Sequence, residues 1–394
     1  MRILLHDFSG HPFQIQLSKS LAERGNVVSH RYCGSLVGPQ GAISKGQNDP
    51  ATFDISPVST GETLNRHSLF KRRLQEIEYG RELVKEYHRV LPDVVISSNT
   101  PLDAQRQLMR ACKQQSTKFV YWLQDLIGVG THRVLSKRWF GFGAGVGKYF
   151  INLEANLLRR SDEVVGITQA FEDVLRKYKI ADDKIHTIEN WAVLDEIQPC
   201  SQDNKWARDQ NLEGKQCFVY SGTLGMKHNP ELLLRLATSF GDDTNVRIVV
   251  ISEGTGRQWL EEKKQSFNLD NLVLLDYQPF DRLSEVFGCA TVLVAILEPD
   301  AGIFSVPSKV LSYHCAHRPL LLAVPEENLA SRIVAREESG ITVDPRNIDG
   351  FIEAAGRLLV DENLRTSLAD NAIRYAQDKF DIEPITDRFI AVME

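Results

Sequence analysis

Short apolar runs alternate with amphipathic stretches along the whole chain. Arg2–His6 reads as a strand, followed by the polar turn Asp7-Phe8-Ser9-Gly10-His11. A helix comes next, with Pro12 in its first turn and Phe13, Leu17 and Leu21 on one face, ending near Gly25. Val27–Tyr32 is the second strand. Strand, helix and strand within about 30 residues form one βαβ unit and so imply a parallel sheet.

Residues 34–65, rich in Gly, Pro, Ser, Thr and Asn, read as a long surface loop. A charged helix is expected at about 66–90, then strand Asp93–Ser97, a helix from Pro101, and strands Lys118–Leu123, Glu163–Thr168 and Ile185–Glu189. Residues 196–215 are polar and read as an interdomain linker. The alternation then restarts with strand Cys217–Ser221, a helix over 229–240 capped by Asn229 with Pro230 at its first position, and strand Val246–Ile251. Leu272–Asp276, Thr291–Ile296 and Pro319–Val324 continue it. The expectation is an α/β fold of two Rossmann-like, doubly wound domains facing across a cleft. Such sheets take ligands at the carboxyl ends of their strands. The domains are placed at 1–195, with a final helix over 380–394 packing back on it, and at 196–379.

With 394 residues the chain suits two such domains, and 42% apolar with 25% charged residues is ordinary for globular proteins. A net charge of −6 argues against nucleic acid as the partner of the whole protein. Cys33, Cys112, Cys200, Cys217, Cys289 and Cys315 have no C-x-x-C spacing, which suits reduced thiols in the cytoplasm rather than a zinc site. Polar residues arrive too early for a signal peptide, and no apolar run reaches the roughly 20 residues of a membrane span.

Two loops carry candidate chemistry. In Tyr220-Ser221-Gly222-Thr223-Leu224-Gly225-Met226-Lys227-His228-Asn229-Pro230, a strand ends at two glycines, and a lysine precedes a helix. Backbone N–H groups, a helix start and a cation together suit a diphosphate, whereas the simpler reading is a Gly-rich turn with a solvated lysine. In Gly302-Ile303-Phe304-Ser305-Val306-Pro307-Ser308-Lys309-Val310-Leu311-Ser312-Tyr313, small residues again lead into a helix. Lys309 in its first turn opposes the helix dipole unless an anion lies nearby. Asp125, just beyond an apolar strand, is either a cleft-facing carboxylate able to orient or deprotonate a hydroxyl, or a turn cap.

These segments, with Arg318-Pro319, Ser9-Gly10-His11-Pro12-Phe13, Trp122-Leu123-Gln124-Asp125-Leu126 and Ile188-Glu189-Asn190-Trp191, resemble family 4 glycosyltransferases of the GT-B fold. They look closest to the branch that builds bacterial exopolysaccharide and O-antigen, including the colanic-acid and N-acetylfucosamine transferases. The resemblance runs through nearly the whole chain in the same order.

The resemblance implies retaining, metal-independent transfer from a nucleoside-diphosphate sugar, with UDP as the family's usual nucleotide and no cofactor. Lys227 would steady the leaving diphosphate beside Gly222 and Thr223. Gly302, Phe304, Ser305, Val306, Pro307, Ser308 and Lys309 would hold phosphate and sugar, with Ser312 on the ribose. Gly254 and Tyr277-Gln278-Pro279 would frame the base, and Gly10, His11 and Asp125 would serve the acceptor. The chain departs from the family in having Thr223 where arginine is frequent, Ser312 where glutamate is common, and Gly10-His11 in place of paired glycines.

Between Thr131 and Arg160, six cations (Arg133, Lys137, Arg138, Lys148, Arg159, Arg160) face one acid, Glu154. Trp139, Phe140, Phe142, Tyr149, Phe150 and four glycines are interleaved. Basic, aromatic and flexible residues together suit an anionic bilayer, at about 1 kcal/mol per cation near the headgroups. The membrane-facing set is then Arg133, Lys137, Arg138, Trp139, Phe140, Phe142 and Lys148, and the partner a polyprenyl-diphosphate-linked saccharide at the inner face of the cytoplasmic membrane. A solvated loop is the simpler alternative. Two rival functions remain open: a nucleotide-sugar 2-epimerase, which would need no acceptor, and a non-catalytic nucleotide-sugar-binding protein.

Overall fold

The computed structural model describes residues 1–36, 43–61, 64, 68–138, 142–225, 228–299 and 307–394. They form two compact units, Met1–Asn190 with Ile382–Glu394, and Trp191–Asp381.

In chain order the first unit holds β1 (Arg2–Asp7), α1 (Pro12–Glu23), β2 (Val27–Cys33), β3 (Phe53–Val58), α2 (Leu69–Val90), β4 (Val94–Ser98) and α3 (Leu102–Gln114). There follow β5 (Lys118–Leu123), α4 (Ile127–Arg138), α5 (Phe142–Arg160), β6 (Glu163–Gly166), α6 (Glu172–Lys177) and β7 (Ile185–Thr187). The sheet order is β3-β2-β1-β4-β5-β6-β7, and every described pair is parallel. Strands covered on both faces by helices are buried along their length, as Val94–Ser98 is at every position, with Ser97 and Ser98 at its carboxyl end.

The second unit holds α7 (Lys205–Asp209), β8 (Gln216–Ser221), α8 (Glu231–Ser239), β9 (Val246–Ile251), α9 (Thr255–Phe267), β10 (Leu272–Leu275) and α10 (Leu283–Gly288). It continues with β11 (Val292–Ile296), α11 (Lys309–His314), β12 (Leu320–Ala323), α12 (Leu329–Arg336), β13 (Gly340–Val343), α13 (Ile348–Val360) and α14 (Glu362–Lys379). Its parallel sheet runs β10-β9-β8-β11-β12-β13. Phe218, Leu232, Leu236, Ile248, Val294, Phe351 and Leu358 pack one core on that sheet.

The last helix, α15 (Ile382–Met393), belongs to the first unit. Phe389 meets Trp122 of β5 with ring centroids 4.7 Å apart, and Phe13 of α1 packs edge-on against the same indole. Thr386 donates to Ser20 at 2.8 Å, and Arg24 pairs with Glu383 at 2.6 Å and with Asp387.

Several expectations need correction. Residues 34–65 are not one loop, because Phe53–Val58 pairs with β2 as an edge strand. An edge tolerates Pro57, which cannot donate to a ladder, and this is why the pattern hid the strand. Residues 196–215 are not a free linker: Asn204 caps α7 through Ala207 N–H, and Trp206 and Ala207 are buried in the second unit. Asn229 does not cap α8. It takes a left-handed φ of 50°, and Pro230 stands at the cap of a helix beginning at Glu231.

The glycine-rich basic segment is helical where described. Gly147 in this segment and Gly128 just before it allow close approach of α4 and α5, whereas Gly145 faces open space. A Cβ on Gly147 would fall 2.4 Å from His132 Nδ1, and one on Gly128 would fall 2.9 Å from both Glu154 Oε2 and the Phe150 carbonyl. No helix among the described residues is long and apolar enough to cross a membrane.

Candidate functional site

A parallel sheet whose strand order reverses leaves a crevice where the flanking loops diverge. The reversal lies between β1 and β4 in the first unit and between β8 and β11 in the second. Both motif loops named from the sequence, at 222–227 and 302–309, follow the strands bordering the second reversal.

At the end of β8 the chain turns through Gly222, with φ 130°, a conformation for which glycine is needed. A Cβ there would lie 2.8 Å from Lys309 Nζ, so the ammonium sits against the bare backbone of the turn. The same Nζ stands 3.6 Å from the ring centroid of Tyr220, a cation–π contact. Among the described residues no carboxylate pairs with Lys309, and desolvation pulls its pKa down to about 7. A desolvated cation without an anion is costly, and it marks a place prepared for negative charge.

Three tyrosines brace this turn. Tyr313 of α11 accepts Ser221 N–H at 2.9 Å, Tyr220 donates to the Thr223 carbonyl at 2.8 Å, and the Tyr277 hydroxyl lies 2.8 Å from Thr223 Oγ1. Thr223 and Tyr277, named from different motifs, therefore meet. Gly254, with φ 113°, lets the β9–α9 loop approach: a Cβ on it would fall 2.9 Å from the Leu224 carbonyl. Gln278 is engaged at both ends of its amide, accepting Trp206 Nε1–H at 2.9 Å and donating to the Asp276 carbonyl. Pro279 caps a short 3-10 turn. Ser312 is half-buried in α11, Pro307 is half-buried and Ser308 exposed. Lys227, Gly302, Phe304, Ser305 and Val306 lie outside the described residues. Trp206 was missed because it sat in an apparent linker. The bracing role of Tyr220 depends on a partner three residues away whose direction no pattern specifies.

In the first unit, Asp7 ends β1 fully buried and accepts the backbone N–H of Ser9 at 3.0 Å and that of His11. His11 Nδ1 lies 3.3 Å from Asp7 Oδ1 and 3.3 Å from Asn99 Nδ2. A carboxylate only accepts, so Nδ1 carries the proton towards Asp7, and the Asn99 amide nitrogen, itself a donor, is a neighbour and not a hydrogen-bond partner of that N–H. Burial works against ionisation of both groups, yet their mutual attraction wins: the Asp7 carboxyl is lowered and the His11 imidazole raised, with a smaller push on His11 from Asp125. Gly10 supplies the left-handed φ of 72° that folds this loop onto Asp7.

Asp125 is exposed beyond β5, and its carbonyl accepts Ile127 N–H at the start of α4. Beneath it lies a carboxyl that sequence reasoning counted only as one acid in a basic run. Glu154 is fully buried, accepts Gly128 N–H at 3.1 Å, and is pushed by burial up to about 7. No pattern along α5 shows that position 154 meets the amino end of α4.

Of the basic segment, Arg133 and Lys148 are exposed. Trp139 and Phe140 lie outside the described residues, as do the side chains of Lys137, Arg138 and Phe142.

Residues 15–196 match the family described as Glycosyltransferase Family 4, and residues 202–375 the family described as Glycosyl transferases group 1. An uncharacterised glycosyltransferase of Methanocaldococcus jannaschii is 22% identical over 251 residues, covering 59% of this chain and 60% of the relative. The match thus spans about three fifths of that relative's length. HepE of Anabaena, solved with UDP and glucose, shares the fold with a TM-score of 0.74 at 14% identity, covering 100% of this chain and 99% of its own. WaaG, a glycosyltransferase involved in lipopolysaccharide biosynthesis, superposes with a TM-score of 0.68 at 16% identity, covering 99% of each chain. At such identities the likeness establishes the fold, two parallel-sheet α/β domains of the GT-B type.

Proposed function

The chain belongs to the glycosyltransferases, family 4 over residues 15–196 and group 1 over residues 202–375, and on that premise we propose that it moves a sugar from a UDP-sugar to a lipid-linked saccharide. The observation that carries the donor half is Lys309, a desolvated ammonium held against the Gly222 turn with no carboxylate partner among the described residues. A nucleoside diphosphate supplies the missing charge, and Lys227 joins it in that role. The HepE complex with UDP and glucose supports this choice of nucleotide.

The transfer retains the anomeric configuration and needs no metal. The bond from sugar C1 to the diphosphate oxygen breaks, and C1 bonds to the acceptor oxygen on the same face. The acceptor proton passes to the departing diphosphate or to Asp125. Lysine charge stabilises the leaving group as its negative charge grows. Tyr277 and Thr223, joined through their hydroxyls, take the place next to the diphosphate where the family often has arginine. Tyr277, Gln278 and Gly254 hold the base, and Ser312 the ribose. Gly10, His11 and Asp125 serve the acceptor. The branch resemblance suggests both the acceptor class, a polyprenyl-diphosphate-linked saccharide of cell-surface polysaccharide, and the sugar moved to it, an N-acetylated or deoxy amino hexose. WaaG's role in lipopolysaccharide biosynthesis points the same way. Arg133 and Lys148 lie at the anionic inner leaflet of the cytoplasmic membrane.

The test is a panel of UDP-sugars with membrane extract or a short polyprenyl-diphosphate sugar, read as acceptor-dependent UDP release in the presence of EDTA. Release that needs acceptor, and that collapses in Lys227→Ala, supports the reading. Donor consumed without acceptor would assign an epimerase, and donor bound without turnover over any acceptor a binding protein.

A further inference from the structure

Apart from the donor turn, the first unit carries a strongly basic hollow that the proposed reaction does not use. A cavity of about 290 Å³ opens between α3 and α5, lined by Arg106, Arg110 and Arg160 together with Tyr149, Asn152 and Asn156. No acidic residue lines it. Arg106 and Arg110 are one turn apart on α3, so both present to the same groove, and like charges at that spacing repel unless something anionic lies between them.

The three guanidinium groups differ in how they are satisfied. Arg106 gives Nη2 to Asp103 at 2.8 Å and Nη1 to the Tyr149 hydroxyl at 3.5 Å, but its buried Nε has no partner. Asp103 is already shared, because Arg73 donates to its other oxygen at 2.8 Å. Arg110 and Arg160 are exposed and have no hydrogen-bond or ion-pair partner among the described residues. Asp103 thus serves Arg73 and Arg106, and the positive charge of Arg110 and Arg160 is left without a carboxylate among the described residues. A hollow lined by three arginines and no acid concentrates positive potential and suits an anion.

We propose that this α3–α5 hollow binds a phosphate group, held by Arg106, Arg110 and Arg160. The planar guanidinium fork matches phosphate oxygens two at a time, which a row of lysines would not do. The volume suits a single phosphate ester rather than a polymer. Tyr149 forms one wall and is itself fixed by Arg73, whose guanidinium lies 5.5 Å from its ring centroid. Two sources present this chemistry, the phosphodiester headgroup of an anionic lipid and a soluble phosphate ester. The site does not depend on the donor-binding reading of the second unit.

The experiment is calorimetric titration of glycerol phosphate into the full chain with UDP present in excess, for wild type and for Arg110→Glu/Arg160→Glu. Both substituted positions are exposed, and UDP affinity in the same samples reports on the donor reading and on folding separately. The expected result is binding to wild type that weakens about tenfold or more in the variant while UDP affinity stays unchanged. Absence of binding to wild type, or equal binding to both proteins, overturns the proposal. Sedimentation with phosphatidylglycerol or phosphatidylcholine vesicles separates the sources. If the variant also loses recovery with phosphatidylglycerol, the headgroup is the ligand. If the vesicles recover both proteins alike while glycerol phosphate binding is lost, it is a soluble ester.

Discussion

The Glu154 carboxylate of α5 accepts the backbone N–H of Gly128 in α4 at 3.1 Å, with Ile127 N–H as a second donor. A helix start leaves its first amide groups without partners, and here a side chain from the neighbouring helix supplies the acceptor. The contact fixes the start of α4 just after Asp125. Only glycine fits at position 128, because a Cβ would meet Glu154 and the Phe150 backbone.

Substituting Glu154→Ala strands a buried N–H and is expected to cost about 1–3 kcal/mol in urea unfolding. Glu154→Gln keeps an acceptor and costs less. The pH profile distinguishes them from a mere packing change. Burial raises the folded pKa to about 7 from 4.5, so between these values the folded state holds more protons than the unfolded one. This contribution to stability therefore falls as pH rises from about 4.5 to 7. The difference between wild type and Glu154→Gln should follow that slope. A flat difference would mean that the carboxyl ionises as an ordinary surface acid.

Three buried histidines act in the opposite sense. Burial lowers His6 to about 3 and His30 and His314 to about 4. His6 is held by the Tyr79 hydroxyl at 2.7 Å and by Thr100, and His314 between the Val310 carbonyl and the Ser339 hydroxyl. The unfolded chain binds protons first, near pH 6.5, so stability is complete above that value and is lost as pH falls towards 4. The urea midpoint should be lower at pH 5 than at pH 7. Three lowered histidines stand against Glu154 and the raised His11, and they outweigh these two. An unchanged midpoint would contradict this account.

For Lys309 the free protein has a folded pKa near 7 in place of 10.5. A bound diphosphate favours the charged form, so UDP binding at pH 8–9 should take up a proton. Calorimetry in two buffers of different ionisation enthalpy reads that uptake directly. Lys309→Met removes one charged contact, and UDP affinity should fall about 10- to 100-fold with the uptake abolished. Gly222→Ala should also weaken UDP binding, because its Cβ would displace the ammonium. It should lower stability by about 1–3 kcal/mol through the strained φ. Wild-type affinity in both variants would remove Lys309 from the donor site.

Most parallel strands of both sheets could be read from the sequence as largely apolar runs between turn signals, as in Val246–Ile251, though Gly340–Val343 was not. Phe53–Val58 could not, since an edge strand is wetted on one side and carries Asp54 and Pro57. The α4–α5 pair was hidden because its glycines suggest a loop to any pattern reader. Gly128 and Gly147 are required by a helix contact that exists only once both helices are in place.

The linear chain settled the alternation of strand and helix, the parallel sheets this forces, and the loops that carry Gly222, Lys309 and Asp125. These follow from local periodicity and from which residues can turn. Tertiary structure decided the rest: Lys309 lies against Gly222 and Tyr220, Tyr277 meets Thr223, one aspartate divides between Arg73 and Arg106, and Glu154 lies under the start of α4. Burial, direction and pairing arise between segments far apart in sequence, so no local pattern encodes them.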